Sequence, residues 1–169
     1  MLDVRHVSKR FGGITAVNDV SLQVMPGEIV SLIGPNGAGK TTTFNLISGV
    51  LPVSDGSIVF DGRDVTRCKP SDFARLGIGR TFQNLALFRH GTVAENLLVG
   101  RHVHFRYSVL ESLLHVGRPR REEIAARERV ESIIEFLEIE ELRDKPVAEL
   151  AYGQQKRVEL GRALACEPR

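Results

Sequence analysis

An eight-residue run limits the possible folds of this 169-residue chain more than any other part of its sequence. It reads Gly34-Pro35-Asn36-Gly37-Ala38-Gly39-Lys40-Thr41 and fits the pattern G-x-x-x-x-G-K-[ST]. The apolar segment 29–33 precedes it, and such a run is typical of a strand covered on both faces in a parallel sheet. Segment 42–47, which follows, is predicted to be helical. A strand, a glycine-rich loop and a helix in this order predict an α/β fold.

Each residue type in this loop has a physical reason to bind phosphate. Glycine allows backbone N–H groups to turn inward without a Cβ clash, and the start of the following helix adds a positive end. We expect Lys40 to place its charge on the β- and γ-phosphates and the Thr41 hydroxyl to bind Mg²⁺. The candidate cofactor-binding residues here are Asn36, Gly37, Ala38, Gly39, Lys40, Thr41 and Thr42. The loop alone leaves kinases, GTPases and transport ATPases open.

Composition and charge exclude several other classes of protein. The 23 Lys and Arg residues nearly balance the 21 Asp and Glu residues, so we expect no nucleic-acid partner. No apolar stretch approaches the ~20 residues that span a bilayer. Cys68 and Cys166 match no metal or redox spacing, and we interpret them as reduced thiols of a cytosolic protein.

Periodicity predicts further elements on both sides of the loop. Segments 2–5 and 20–24 alternate apolar and polar residues, which indicates half-exposed antiparallel strands. Later in the chain, one apolar face of a helix is predicted by the helical spacing of Ala126, Val130, Ile133, Ile134 and Leu137.

Four stretches together resemble the ATP-binding-cassette (ABC) ATPases. Segment 150–165, Leu-Ala-Tyr-Gly-Gln-Gln-Lys-Arg-Val-Glu-Leu-Gly-Arg-Ala-Leu-Ala, resembles the signature helix of that family. Segment 80–84, Arg-Thr-Phe-Gln-Asn, resembles the family's Q-loop, and its Gln83 lies 43 positions after Lys40. Phe11 matches the aromatic residue that stacks on adenine, and segment 55–62 fits the family's hairpin. The motifs cover the whole chain in the family's order.

The particular residues found in these motifs also indicate a subfamily. Segments 8–13, 79–84 and 151–155 look like one of the two ATPases of branched-chain amino acid importers. The resemblance therefore implies the ATP-binding subunit of an ABC importer, which couples ATP binding and hydrolysis to transport of branched-chain amino acids.

The resemblance implies an α/β fold of the P-loop NTPase type, with an N-terminal antiparallel β subdomain and a helical subdomain. We expect a nucleotide-binding core in residues 1–91, a helical subdomain in 92–152 and the signature helix in 153–169. In the family, a strand bearing the Mg²⁺ aspartate and the catalytic glutamate should follow. The expectation is therefore that the C-terminal part of the sheet is missing and that segment 29–33 has an open apolar edge.

The same resemblance assigns candidate roles to individual residues. Gln83 is implied as a catalytic residue that reaches Mg²⁺ or the attacking water, so that it and Thr41 are the candidate metal ligands. Phe11 should stack on adenine, with Val17 near the sugar; burial of Phe11 in the core is the alternative. The start of the signature helix should cap the γ-phosphate of ATP on a second subunit through Ala151, Tyr152, Gly153 and Gln154. The family usually has serine in place of Ala151, so a hydroxyl is absent here.

The implied cofactors are ATP and Mg²⁺. The implied partners are transmembrane permease subunits, a second ATPase subunit and, indirectly, a periplasmic or extracellular binding protein. The implied location is the cytoplasmic face of the plasma membrane, as a peripheral subunit. The alternative is a non-catalytic ATP-binding fragment, unable to hydrolyse ATP because the catalytic carboxylates are absent.

Two further segments leave alternatives open. The apolar segment 85–88 is placed to meet a membrane partner, or else lies in the core. Segment 101–121 carries five arginines against Glu111; it contacts anionic lipid or a partner, or else is a solvated insertion.

Overall fold

The computed structural model describes residues 1–81, 85–105 and 118–169, with only the backbone of residues 118 and 119. The chain divides into two compact units, Met1–Phe73 and Ala74–Arg169. The boundaries expected from the motifs, after residues 91 and 152, stay predictions.

The first unit is built on an antiparallel sheet of four strands in the order β2-β1-β3-β4. The strands are β1 (Leu2–Phe11), β2 (Ile14–Val24), β3 (Asp55–Phe60) and β4 (Arg63–Asp64). The alternation of segments 2–5 and 20–24 is confirmed as antiparallel pairing, with Val4 opposite Leu22. The hairpin expected in 55–62 is confirmed as the β3–β4 pair. Val4, Val7 and Ile58 are each only 1% exposed, so one face of this sheet forms a core.

Helix α1 (Lys40–Ile47) directly follows the glycine-rich loop, as predicted. Thr43 and Leu46 are its buried residues. Helix α2 (Pro70–Leu76) follows the sheet and buries Phe73.

The predicted strand at 29–33 is wrong in this structure. The segment has no regular secondary structure, and no strand among the described residues pairs with it. Ile29 and Ile33 are 95% and 91% exposed. An apolar run becomes a strand only when neighbouring strands accept and donate its backbone hydrogen bonds, and none of the described strands does so for this segment.

The second unit contains helices α3 (Val93–Gly100), α4 (Arg118–Phe136) and α5 (Tyr152–Ala165). Among the described residues of this unit, three short 3₁₀ turns accompany them, at Arg101–His104, Glu140–Leu142 and Val147–Glu149. A capping box starts α3: the Thr92 hydroxyl accepts from the Glu95 amide, and the Glu95 carboxylate accepts from the Thr92 amide. Each helix supplies buried apolar side chains to one core, among them Leu97, Ile134 and Val158.

The helical spacing of 126–137 is confirmed by α4. Ala126, Val130, Ile133 and Ile134 are all less than 5% exposed, and Leu137 packs on the same core just beyond the helix end. A 3.6-residue period thus identified the buried face correctly.

Segment 85–88 lies only partly in the core, and its expected contact with a membrane partner stays a prediction. Leu87 is buried, and Leu85 packs against the helical core. Phe88, by contrast, is 60% exposed. Core packing therefore accounts for part of the segment and leaves the Phe88 ring on the surface.

The basic segment 101–121 is not uniformly a charged surface. Arg101 is buried, donates from Nη1 to the carbonyl oxygen of Ala165 at 3.1 Å and pairs with Glu167 at 2.9 Å. Arg120 and Arg121 are exposed. Arg106 and the side chain of Arg118 lie outside the described residues.

In the portion of the chain that the structure describes, no helix has the length and apolar character needed to cross a membrane.

Candidate nucleotide-binding site

The glycine-rich loop lies where β2 supports the start of α1. Gly39 caps α1 with φ 80°, in the left-handed region that favours glycine, and Gly37 has φ 86°. A Cβ on Gly39 would lie 2.5 Å from the carbonyl oxygen of Ala16 in β2. Glycine is therefore required at position 39 for two separate reasons, backbone conformation and close packing.

The Lys40 ammonium lies against its own loop. Its Nζ donates to the carbonyl oxygens of Gly34 at 2.7 Å and Pro35 at 2.6 Å. These carbonyl acceptors carry no net charge, whereas a phosphate oxygen would add the attraction between opposite charges to the hydrogen bond. The Lys40 ammonium is therefore held at the loop, where a phosphate anion would compete with the two carbonyl oxygens for its hydrogen bonds.

The three consecutive threonines of α1 differ in their surroundings. The Thr43 side chain is buried, and its hydroxyl donates to the Gly39 carbonyl oxygen at 3.0 Å. Thr41 is exposed in the first turn, and Thr42 is half-buried. The first amides of a helix have no acceptor within it, and the helix dipole favours an anion there. A hydroxyl oxygen beside them is a ligand type that Mg²⁺ accepts, so the residues fit a phosphate with its magnesium ion.

The rest of the predicted loop is open to solvent. Asn36, Gly37 and Ala38 are all exposed, and the Ala38 amide donates to the Pro35 carbonyl oxygen at 3.3 Å. The loop is thus accessible along the residues that the pattern assigns to the phosphates.

Phe11 ends β1 and is 47% exposed, so it is not a core residue. Val17, on β2, is only 5% exposed, and its Cγ2 lies 3.4 Å from the position that a Cβ on Gly39 would take. Val17 therefore packs against the loop at Gly39. Its expected place near the sugar stays a prediction.

The segment predicted to be the signature helix is helical over Tyr152–Ala165, as α5, and the start of this helix is exposed. Ala151 is the cap residue with extended backbone, and its amide donates to Gln154 Oε1 at 3.0 Å. Tyr152 is 66% exposed, and a Cβ on Gly153 would meet no atom within 4 Å. At Gly153 this end of α5 presents backbone that no side chain covers, as a close approach to a phosphate needs, with the exposed Tyr152 ring beside it.

Gln83, the candidate catalytic and metal-binding glutamine, lies outside the described residues. Two buried polar residues, Asn96 and Lys9, were missed by the sequence reasoning. Asn96, fully buried in α3, donates to the carbonyl oxygens of Phe88 and Thr92 at 2.9 Å each and accepts from the Phe88 amide at 2.8 Å. An asparagine on an apolar helix face was the signal that could have revealed it.

The second missed residue is Lys9. It lies two positions before Phe11 on β1 and is only 9% exposed. A lysine and an aromatic residue two apart on a strand was the available signal, since such residues share one face.

A cavity of about 1,070 Å³ also lies in the first unit. Segments 49–57 and 64–70 line it, and no residue of the glycine-rich loop does. The candidate site is therefore identified by its chemistry rather than by a deep hollow.

A glycine-rich loop that begins a helix next to an antiparallel sheet, together with a helical unit ending in α5, is the architecture of a P-loop nucleotide-binding cassette. A sequence model of the ABC transporter family matches residues 17–169. The chain belongs to that family.

The chain is also similar to individual members of this family. The chain is 41% identical over 169 residues to the high-affinity branched-chain amino acid transport ATP-binding protein BraF of Pseudomonas aeruginosa. The match covers 100% of this chain and 66% of BraF, so the chain spans slightly less than two thirds of that relative.

Solved structures agree with the fold. A nucleotide-free ATP-binding cassette from an ABC transporter is 38% identical, with a TM-score of 0.81, covering 99% of this chain and 65% of that one. A dimeric cassette in a post-hydrolysis state, bound to ADP and phosphate, is 27% identical, with a TM-score of 0.79 and coverage of 99% and 71%. The predicted fold class is thus confirmed, including the antiparallel and helical parts.

Proposed function

We propose that this chain is the ATP-binding part of an ABC importer of branched-chain amino acids. The observation that carries the proposal is the loop geometry: Gly39 in a left-handed conformation starts α1, with the Lys40 ammonium and the exposed Thr41 hydroxyl beside the helix end. The identity to BraF over the whole chain supports the cargo class. It also favours the importer over a non-catalytic fragment.

In the proposed site, the chain's own residues bind and orient the triphosphate. Lys40 leaves the Gly34 and Pro35 carbonyl oxygens and donates to phosphate oxygens instead. The first amides of α1 donate to the same anion. Thr41 and Gln83 hold Mg²⁺, which neutralises phosphate charge when bound. The exposed Phe11 ring stacks on the adenine.

The proposed reaction needs a second subunit and membrane partners. The start of α5, with Ala151, Tyr152, Gly153 and Gln154, points its amides at ATP held by a second ATPase subunit. The dimeric cassette among the similar structures supports this arrangement. Closure and reopening of the pair would drive transmembrane permease subunits, which receive cargo from a periplasmic or extracellular binding protein. The subunit then works at the cytoplasmic face of the plasma membrane.

Nucleotide binding tests the site directly. We expect Lys40→Ala to weaken ATP binding by about 10- to 100-fold, as expected for loss of charge-assisted hydrogen bonds. Lys69→Ala, which removes an exposed lysine in the same unit, is the matched control and should bind ATP normally. Isothermal titration calorimetry with Mg²⁺ present measures both. Equal affinity of the two variants would refute the proposed loop function.

Transport tests the cargo. In cells that encode this chain, Lys40→Ala should abolish uptake of labelled leucine, isoleucine and valine, while Lys69→Ala should not. If uptake of those amino acids persists in Lys40→Ala cells while ATP binding is lost, the importer assignment is wrong but the nucleotide site stands.

A further inference from the structure

Lys9 is held in an unusual place for a lysine. Its side chain lies on β1 and is only 9% exposed, whereas lysine is almost never fully buried unless it is paired. Its Nζ donates to the carbonyl oxygen of Pro52 at 2.6 Å. That hydrogen bond links β1 to the segment just before β3 and fixes the position of the ammonium group.

The fixed ammonium lies over the Phe11 ring. Nζ is 5.1 Å from the ring centroid, within the distance at which a cation is attracted to an aromatic face. The attraction is stronger where water is excluded, and Lys9 is nearly buried. Phe11 itself remains 47% exposed, so much of its surface is free for another ring. The lysine thus restrains Phe11 without covering it.

We propose that Lys9 is a positioning residue for nucleotide binding: anchored on the Pro52 carbonyl oxygen, its ammonium orients the Phe11 ring for stacking against the base. The inference rests on the proposed function, in which Phe11 stacks on adenine. A free aromatic side chain would lose rotamer freedom on binding, and a ring already restrained loses less. Lys9 therefore raises affinity for a base while leaving affinity for the phosphates unchanged.

The test separates base from phosphate by using two ligands on the same chain. Lys9→Met keeps most of the apolar stem and removes the ammonium. We expect it to weaken ATP binding about two- to ten-fold, the range for one immobilised side chain. Binding of inorganic tripolyphosphate, which has no base, should stay within about two-fold of the original chain. Arg10→Met is the matched control, because Arg10 is the adjacent, exposed cation.

A double-substitution cycle identifies the route of the effect. If Lys9 acts through Phe11, then Lys9→Met should have no further effect on ATP affinity once Phe11→Ala is present. An additive effect in that background would overturn the proposal. So would an unchanged ATP affinity, or an equal loss of tripolyphosphate binding, since the latter means that Lys9 supports the fold or the loop.

A different pattern of binding results would show that the proposed function itself is wrong. If the original chain binds neither ATP nor tripolyphosphate, the nucleotide site is wrong and the role of Lys9 falls with it. If it binds both and Phe11→Ala leaves ATP affinity unchanged, the nucleotide site stands and both the stacking and the Lys9 proposal are refuted.

Discussion

Replacing Gly100 with alanine is expected to lower the free energy of unfolding by about 1–2 kcal/mol, although alanine is the better helix former. Gly100 is the last residue of α3 and is buried against α5. A Cβ at this position would overlap the carbonyl oxygen of Arg162 and lie 2.9 Å from the Cβ of Ala165. Both neighbours are rigid parts of α5, so they cannot give way as the end of a long side chain would.

The magnitude follows from two opposing effects. Overpacking a filled site typically costs about 1–3 kcal/mol. Alanine recovers up to about 1 kcal/mol over glycine from helix propensity. The overlap is with backbone, so the cost should lie in the upper part of that range, at about 2–3 kcal/mol, which leaves a net loss of about 1–2 kcal/mol. To relieve the overlap, α3 and α5 must separate slightly at their C-terminal ends. The Cys166 thiol, which donates to the Gly100 carbonyl oxygen at 3.4 Å, should lose that contact.

Urea denaturation followed by circular dichroism measures the effect. Gly153→Ala is the matched control, since it makes the same change in a helix where a Cβ meets no atom within 4 Å. We expect this variant to be more stable by about 0.4–1 kcal/mol. Should Gly100→Ala unfold at the same urea concentration as the original chain, or higher, the close approach of α3 and α5 carries no cost and the reasoning is refuted. Equal destabilisation by Gly153→Ala would show that the effect does not come from packing.

Three further outcomes follow from local geometry. Ala151→Ser should stabilise α5 by about 0.5–2 kcal/mol, because a serine at the cap accepts hydrogen bonds from the first helix amides. Ala148→Ser, at an exposed site before the helix, should not change the stability. Equal melting temperatures of the two variants would contradict this. Asn96→Ala should lower the free energy of unfolding by about 1–3 kcal/mol and speed hydrogen exchange at the Phe88 amide, which loses its acceptor. Unchanged exchange at that amide would show that the asparagine does not hold the segment. Burial raises the pKa of the Cys166 thiol, so less thiolate is present at pH 8 in the folded chain. Iodoacetamide should therefore modify Cys166 more slowly in the folded chain than in urea, as measured by mass spectrometry. Equal rates of modification would disprove the shift.

Patterns confined to a few consecutive residues were sufficient for much of the fold. The alternation in β1 and β2, the 3.6-residue spacing in α4 and the glycine-rich loop before α1 were all read correctly from the chain. Each depends on the direction in which neighbouring side chains point along one element, a property of the local backbone. The family resemblance also depended on short motifs in a fixed order, and the match of the ABC transporter family to residues 17–169 confirmed it.

Features that depend on distant residues were not available from such patterns. Segment 29–33 has the composition of a buried strand, yet it lacks partners among the described residues and stays exposed, because pairing is a property of two strands. The contact of Gly39 with Ala16, the anchoring of Lys9 on Pro52 and the closeness of Gly100 to Arg162 each join residues far apart along the chain. Only the packed chain brings those atoms together, and their energies depend on distances that no sequence period encodes.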